Sequence, residues 1–186
     1  MARTIANVAV DLFEHNGVAA TTVDDIAAAA GISRTTFFRH CAGKEAAALV
    51  DDAGFEAALV DAAATASRDR PRATLDQAWD GMVTAFDADA EGSQRFLRVR
   101  RLMQSSPSLN GAGLLRNAAL LEHIAQALRD GAGLPELDAR AVADRFCAAL
   151  QLTFDEWVRR VDAKVQGTTL RAVRHDVEAA LTRAER

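Results

Sequence analysis

The stretch Gly31-Ile32-Ser33-Arg34-Thr35-Thr36-Phe37-Phe38-Arg39-His40-Cys41-Ala42-Gly43-Lys44-Glu45 (GISRTTFFRHCAGKE) decides how this chain is read. It sets cations, hydroxyls and aromatic rings between two alanine-rich, helix-favouring segments. Gly31 is the left-handed stop expected after a helix, and Ser33 offers the side-chain oxygen that caps the next one. A short helix from Arg34 to about Cys41 follows. At about 100° per residue, Phe37 and Cys41 share a face and should turn inward towards Ile26 and Leu12. Thr35 and Arg39 then face outward, with Thr36 and His40 on one flank and Phe38 on the other. Upstream, Thr22 caps a first short helix ending near Ala30. Its opening turn carries Asp24 and Asp25, where negative charge suits the helix dipole. Two short helices joined by a tight glycine turn read as a helix-turn-helix over about residues 22–41.

A motif of this kind lays its second helix in the major groove of DNA. Arg34 stands at the N-terminal end of that helix, where it can bond guanine bidentately. Thr35 and Thr36 can offer a hydroxyl or a methyl group to a base. Arg39, His40 and Lys44 are placed for phosphates, Lys44 beside the N-terminal dipole of the next helix. The alternative, a solvated linker between ordinary helices, does not explain why caps, turn and outward face agree.

The longer stretch TTVDDIAAAAGISRTTFFRHCAGKE, residues 21–45, resembles the signature of the TetR family of one-component transcriptional regulators. The match covers about Ile5 to Leu49; beyond it only length and helix count agree. The resemblance implies a three-helix DNA-binding head, a helical ligand-binding body and a homodimer. It also implies DNA contacts from Thr22, Arg34, Thr35, Thr36, Phe38, Arg39, His40 and Lys44, with the capping Ser33 counted among them. Phe38 stands where the family commonly has tyrosine, which removes a phenol-to-phosphate hydrogen bond. Cys41 replaces a larger aromatic, and Ala42-Gly43 replaces a common Pro-Ser, which weakens the cap of the following helix. Only Arg3 stands where the family often carries a basic arm.

Composition agrees with local rather than bulk affinity for DNA. The chain has 186 residues and a formal charge of −4. Residues 1–50 hold four Lys or Arg (Arg3, Arg34, Arg39, Lys44) against five Asp or Glu, a net of −1. Few phosphate contacts and a shallow salt dependence are therefore expected. Two cysteines, Cys41 and Cys147, lie far apart with no CxxC spacing. They indicate neither a disulfide framework nor a zinc site and suit a reducing compartment. No apolar leader and no membrane-length run appear, so the expected location is cytoplasmic, on the nucleoid.

Helical periodicity continues throughout, and an all-α fold of about nine helices is expected. The domain division is drawn at residues 1–46, the DNA-binding head, and 47–186, the ligand-binding and dimerisation body. A fourth helix should run unbroken from Gly43 to about Ser67. Arg68–Arg72, Ala90–Ser93, Ser105–Ser108 and Gly131–Pro135 read as breaks, with a further interruption at Asn110–Gly113. Asp138 and Gly167-Thr168-Thr169 are expected to cap the last two helices.

In the body, Trp79, Phe86, Arg100, Met103, His123 and Phe154 are the candidate ligand contacts. Arg100 is singled out because its helical angle falls between Phe96 and Met103, inside an apolar arc. A buried arginine needs either an anionic ligand or a structural partner. Arg95, Arg98 and Arg101 point the other way, to solvent or to neighbouring helices. The aromatic stripes otherwise read as plain core. Phe154, Trp157, Val161, Leu170, Val173, Val177 and Leu181 form apolar stripes on the last two helices and are the expected dimer interface.

The leading reading is a repressor that binds a palindromic operator as a homodimer and responds to a small apolar, anionic effector. Two alternatives stay open: a DNA-binding helical dimer with a filled core, and an enzyme with a DNA-binding head. No HExxH, GxSxG or phosphate-cradling loop is present, so no catalytic residue, metal or cofactor is assigned.

Overall fold

The computed structural model describes residues 1–50 and 54–184. Among them are ten helices and no strand. They are α1 (Ala2–Asn16), α2 (Val23–Ala29), α3 (Arg34–His40), α4 (Lys44–Ala48), α5 (Phe55–Ala64), α6 (Pro71–Ala88), α7 (Ala90–Ser105), α8 (Pro107–Asp130), α9 (Glu136–Asp162) and α10 (Leu170–Ala184). The fold is all-α, with the helix-turn-helix at the N-terminal end. The chain divides into two compact units. The first comprises Met1–Gly54 and Glu91–Arg116, the second Phe55–Ala90 and Asn117–Arg186.

The first unit is built on a small apolar cluster. Ile5, Ala9, Val10 and Phe13 of α1 meet Ile26 and Ala27 of α2, Phe37 of α3, Cys41, and Ala47 and Ala48 of α4. Val99 of α7 and Leu109 of α8 close it. Phe13 takes the central place, and Leu12, expected there, packs at the edge. A polar seam joins α7 to α1. Asn7 donates to Glu91 at 2.8 Å and accepts from Arg95 at 3.1 Å. Arg98 grips Glu14 through Nε at 2.9 Å and Nη2 at 2.6 Å, and reaches Asp11 at 2.5 Å. Bonding to Arg98 holds the Glu14 carboxyl below the usual carboxylate range. Of the three arginines expected on the outer side of this helix, Arg95 and Arg98 are therefore directed at a partner helix.

The second unit packs α10 against α9 and α6, and α6 against α5. Trp79 and Phe146 are its largest fully buried groups, and Leu59, Leu75, Ile124, Leu128 and Leu170 are also fully buried, each aliphatic side chain contributing about 1.5–3 kcal/mol. Arg174 of α10 lies over the Trp79 ring, with Cζ 4.5 Å from its centroid, and pairs with Asp80. Arg72 crosses to Glu178 at 2.7 Å. Asp87 of α6 accepts from the backbone of Leu170 at 2.9 Å and Arg171 at 3.2 Å, capping α10 from a neighbouring helix. Burial, with the Asp144 carboxylate nearby, pushes the Cys147 thiol up to about 11, so this cysteine is inert core.

Several boundaries differ from expectation. The unbroken fourth helix is not found: α4 ends at Ala48, α5 begins at Phe55, and Gly54 between them has φ +73°. Residues 51–53 of the expected span lie outside the described residues. The break foreseen at Ala90–Ser93 shrinks to Asp89, because α7 starts at Ala90 and Gly92 sits inside a helix held by tertiary packing. The foreseen interruption at Asn110–Gly113 is absent. Here α8 runs through, with Pro107 in its first turn and the Ser106 hydroxyl accepting from Leu109 N at 3.4 Å. Gly113 has a packing reason to be small, since a methyl there would press on the end of Met103. Pro135, not Asp138, stands at the cap of α9, and Asp138 serves the first-turn dipole. Thr169 does cap α10, accepting from Ala172 N at 3.1 Å.

Candidate nucleic-acid interface

Local chemistry builds the interface from two capped helices. Thr22 accepts from Asp25 N at 3.2 Å, while Asp25 takes the Thr22 backbone N–H at 2.8 Å and its hydroxyl at 2.7 Å. This reciprocal box fixes the start of α2. Gly31 turns the chain at φ +67°, a left-handed conformation that costs any other residue about 1–2 kcal/mol. Ser33 Oγ then accepts from Thr36 N at 3.0 Å and meets the Thr36 hydroxyl at 2.9 Å. Gly43 gives α4 no side-chain cap, as the Ala42-Gly43 pair implied.

With α3 held at its start, its faces separate. Phe37 is fully buried and Cys41 nearly so; burial pushes the Cys41 thiol up, which marks a packed rather than reactive group. Arg34, Thr35, Arg39 and His40 are exposed, and Thr36 is half-buried on the flank. Phe38 is 47% exposed, unusual for a phenylalanine in so small a unit. Its ring meets Phe37 edge-on at 5.5 Å, and the Arg34 guanidinium lies over it with Cζ 5.3 Å from the centroid. Arg34 also reaches back to α2, with Nη1 2.6 Å from Asp24 Oδ1. The surface therefore presents cations, hydroxyls and one apolar ring on a rigid short helix, the mixture that base edges and phosphates accept.

Lys44 has a different setting from the one expected of a phosphate contact. Its ammonium donates to the carbonyls of Val18 at 2.6 Å, Thr21 at 2.9 Å and Ala19 at 3.3 Å. All three protons point into the loop between α1 and α2. The neighbouring Thr21 hydroxyl, itself buried, bonds Gly17 O at 2.9 Å and Leu12 O at 3.3 Å. Lys44 thus ties α4 to the loop that launches the helix-turn-helix. Replacing it with methionine keeps the stem but strands part-buried carbonyls. The head is expected to lose about 2 kcal/mol, read as a lower urea midpoint for the loss of protection in α1–α4.

The residues expected to meet an effector are shared between the two units. Trp79, Phe86 and Phe154 belong to the second unit, where Phe86 meets Phe154 at 5.8 Å and Trp157 at 5.2 Å. Trp79 stacks edge-on with Phe146 at 5.4 Å. His123 is exposed on α8. Arg100 and Met103 belong to the first unit. Arg100 is half-buried beside the Phe96 ring, at 5.9 Å from its centroid, and burial lowers its pKa from the usual arginine value.

Four residues of the expected dimer stripe, Trp157, Leu170, Val173 and Val177, are buried in the single chain, because α10 lies along α9 and α6. These four residues are therefore covered without a second copy. Phe154, Val161 and Leu181 are half-buried at the edges.

Comparison with known proteins adds to this geometry. A model of a family described as bacterial regulatory proteins, tetR family, matches residues 5–49. That span opens at Ile5 in the head cluster and closes just after α4, so it covers the interface built above. Similarity also extends along most of the chain. The putative mycofactocin biosynthesis transcriptional regulator MftR of Mycobacterium tuberculosis is 29% identical over 179 residues, 95% of this chain and 88% of that protein. The HTH-type transcriptional regulator TcmR of Streptomyces glaucescens is 29% identical over 169 residues, 87% and 75% of the two chains. Residues 5–49 match a TetR-type DNA-binding head. That head carries the helix-turn-helix, and along most of its length the chain is similar to two transcriptional regulators. No helix among the described residues is long and apolar enough to cross a membrane.

Sequence reading alone did not find Asp24 as the partner of Arg34. Asp24 carried only a dipole signal, and the two residues meet only once the glycine turn has folded α3 back on α2. The anchoring of Lys44 left no signal either, because its acceptors are backbone carbonyls.

Proposed function

We propose that this chain is a homodimeric TetR-family repressor that binds a palindromic operator and is released by a small apolar effector. The observation that carries the DNA half is the exposed recognition helix, capped at its start by Ser33, with Arg34, Thr35, Arg39 and His40 outward over a buried Phe37. Two copies would set their α3 helices about one turn of DNA apart, roughly 34–36 Å, and a palindrome follows from that symmetry. The division into a DNA-binding head at 1–46 and an effector-binding, dimerising body at 47–186 is part of this reading.

The dimer seam we favour is the outward face of α9. Leu137 and Leu152 are exposed there, with Ala141 and Ala148, and the four positions fall within an arc of about 60°. The effector half is supported by Trp79. Its indole Nε1 is, among the described residues, the buried side-chain polar atom with no hydrogen-bond partner. A buried donor left unmade is costly, so an effector oxygen arriving beside it would be favoured. The anionic character of the effector rests on Arg100, a half-buried cation. Coupling of about 1–3 kcal/mol between effector and operator would suffice for regulation. Cytoplasmic, nucleoid-associated location follows if the operator is chromosomal.

A mobility-shift assay of the full protein on the DNA upstream of its own gene tests the first half. A retarded complex that Arg34→Ala weakens by about tenfold or more is expected, given about 1–3 kcal/mol for a bidentate arginine–guanine contact. A folded dimer that retards no duplex at low salt sinks the repressor reading. A thermal-shift screen with apolar carboxylic acids and acyl thioesters tests the second half. The expected result is a rise in midpoint that also dissociates the complex and shrinks in Arg100→Gln.

A further inference from the structure

We propose that Asp24 is a positioning residue for sequence readout: its carboxylate holds the Arg34 guanidinium against the Phe38 ring, away from phosphates and open to a base. The proposal rests on the head being the DNA-binding surface.

Two observations isolate this pair. The acidic turn of α2 has two carboxylates, but Asp25 is committed to the Thr22 backbone N–H and hydroxyl in the capping box. Asp24 takes no part in that box and turns to α3 instead, 2.6 Å from Arg34 Nη1. The second observation is the ring beneath the guanidinium. Phe37 is anchored in the core, Phe38 stands edge-on to Phe37, and the Arg34 Cζ lies 5.3 Å from the Phe38 centroid. The guanidinium is thus held on its flat face by a ring and at one nitrogen by a carboxylate. A guanidinium has five donors in a planar fork, so Nε and Nη2 remain for a partner. That free edge suits the paired O6 and N7 acceptors of guanine.

The energetics define what the pair does. Its side chains are 60% and 67% exposed, so it is a weak bias rather than a lock. Without it, a mobile arginine at a helix N-terminus would seek the nearest phosphate, a contact that carries no sequence information. With it, a phosphate at the free edge must sit beside the Asp24 negative charge, whereas a guanine brings neutral acceptors to that edge. Asp24 therefore lowers affinity for DNA in general more than affinity for the right site. A head of net charge −1, with little bulk attraction for DNA, gains most from such a device.

The test uses the full protein, a duplex it selects from a randomised pool, and an unrelated duplex of equal length, each over a range of KCl concentrations. Asp24→Asn is expected to bind the unrelated duplex about three- to fivefold more tightly, with a salt slope steeper by about one phosphate contact per subunit. Binding to the selected duplex should stay level or weaken, so discrimination falls by about threefold or more. Asp24→Glu should restore most of the discrimination. In an Arg34→Ala background, Asp24→Asn should change neither affinity. If Asp24→Asn tightens both duplexes equally, or acts as strongly without Arg34, the carboxylate works only as diffuse negative charge and the proposal is overturned. If the wild type selects no duplex at all, both the DNA-binding reading and this one fall.

Discussion

Gly131→Ala is expected to lower the unfolding midpoint of the second unit by about 10 °C, corresponding to a loss of about 3 kcal/mol in a chain of this size. Gly131 follows α8 and lies against the C-terminal end of α5. A Cβ at this position would stand 2.6 Å from the Ala64 carbonyl carbon and 2.7 Å from its Cα, and closer still to its oxygen. These are backbone atoms, so no side-chain rotation relieves the clash, and α5 and α8 must separate. Gly133, two residues on, provides the contrast. It has φ +66° but open space where a methyl group would stand, with no atom within 4 Å, so Gly133→Ala should cost only the left-handed penalty of about 1–2 kcal/mol. Differential scanning calorimetry of the two variants distinguishes close approach from backbone conformation. Equal midpoints would show that α5 and α8 do not meet as described.

Phe37→Ala should weaken DNA binding by about tenfold or more without replacing any outward-facing group of α3. The side chain is fully buried and fills the middle of the small head cluster. Its truncation is expected to cost about 3–5 kcal/mol, a large share of the net stability of any single domain. A largely unfolded head binds in proportion to its folded fraction, so affinity falls by about tenfold or more. Hydrogen exchange should show α1–α4 losing protection while α6, α9 and α10 keep theirs, since the second unit has its own core. Phe37→Leu, which keeps most of the volume, should cost about 1 kcal/mol and retain binding. If the alanine variant keeps both protection and binding, Phe37 is not the anchor of the recognition helix.

The head was largely legible before its structure. Thr22, Gly31 and Ser33 act within one helical turn of themselves, and periods of 3.6 residues place Phe37 and Cys41 inward wherever the helix docks. The later helices were legible in existence but less so in extent. Gly92 and Gly113 look like breaks by propensity, yet both lie inside α7 and α8, because packing outweighs about 1 kcal/mol of intrinsic preference. The apolar stripe of α10 was also seen correctly as buried. In the single chain α9 and α6 cover it, a source the pattern could not name, since periodicity says that a face needs cover and not where the cover comes from.

The sequence by itself therefore determined the local items: an all-α chain, a helix-turn-helix with its caps and turn, and an outward face suited to DNA. Each depends on groups a few residues apart, whose geometry is set by helical periodicity and backbone dihedrals. Only the tertiary structure decided the pairings across distance. Arg34 finds Asp24 ten residues back, Lys44 finds carbonyls 23 to 26 residues back, and Arg98 finds Glu14 across 84. The physical reason is the same in each case. A charged group in a sequence has many partners of opposite polarity, and only the fold brings one of them within hydrogen-bonding distance.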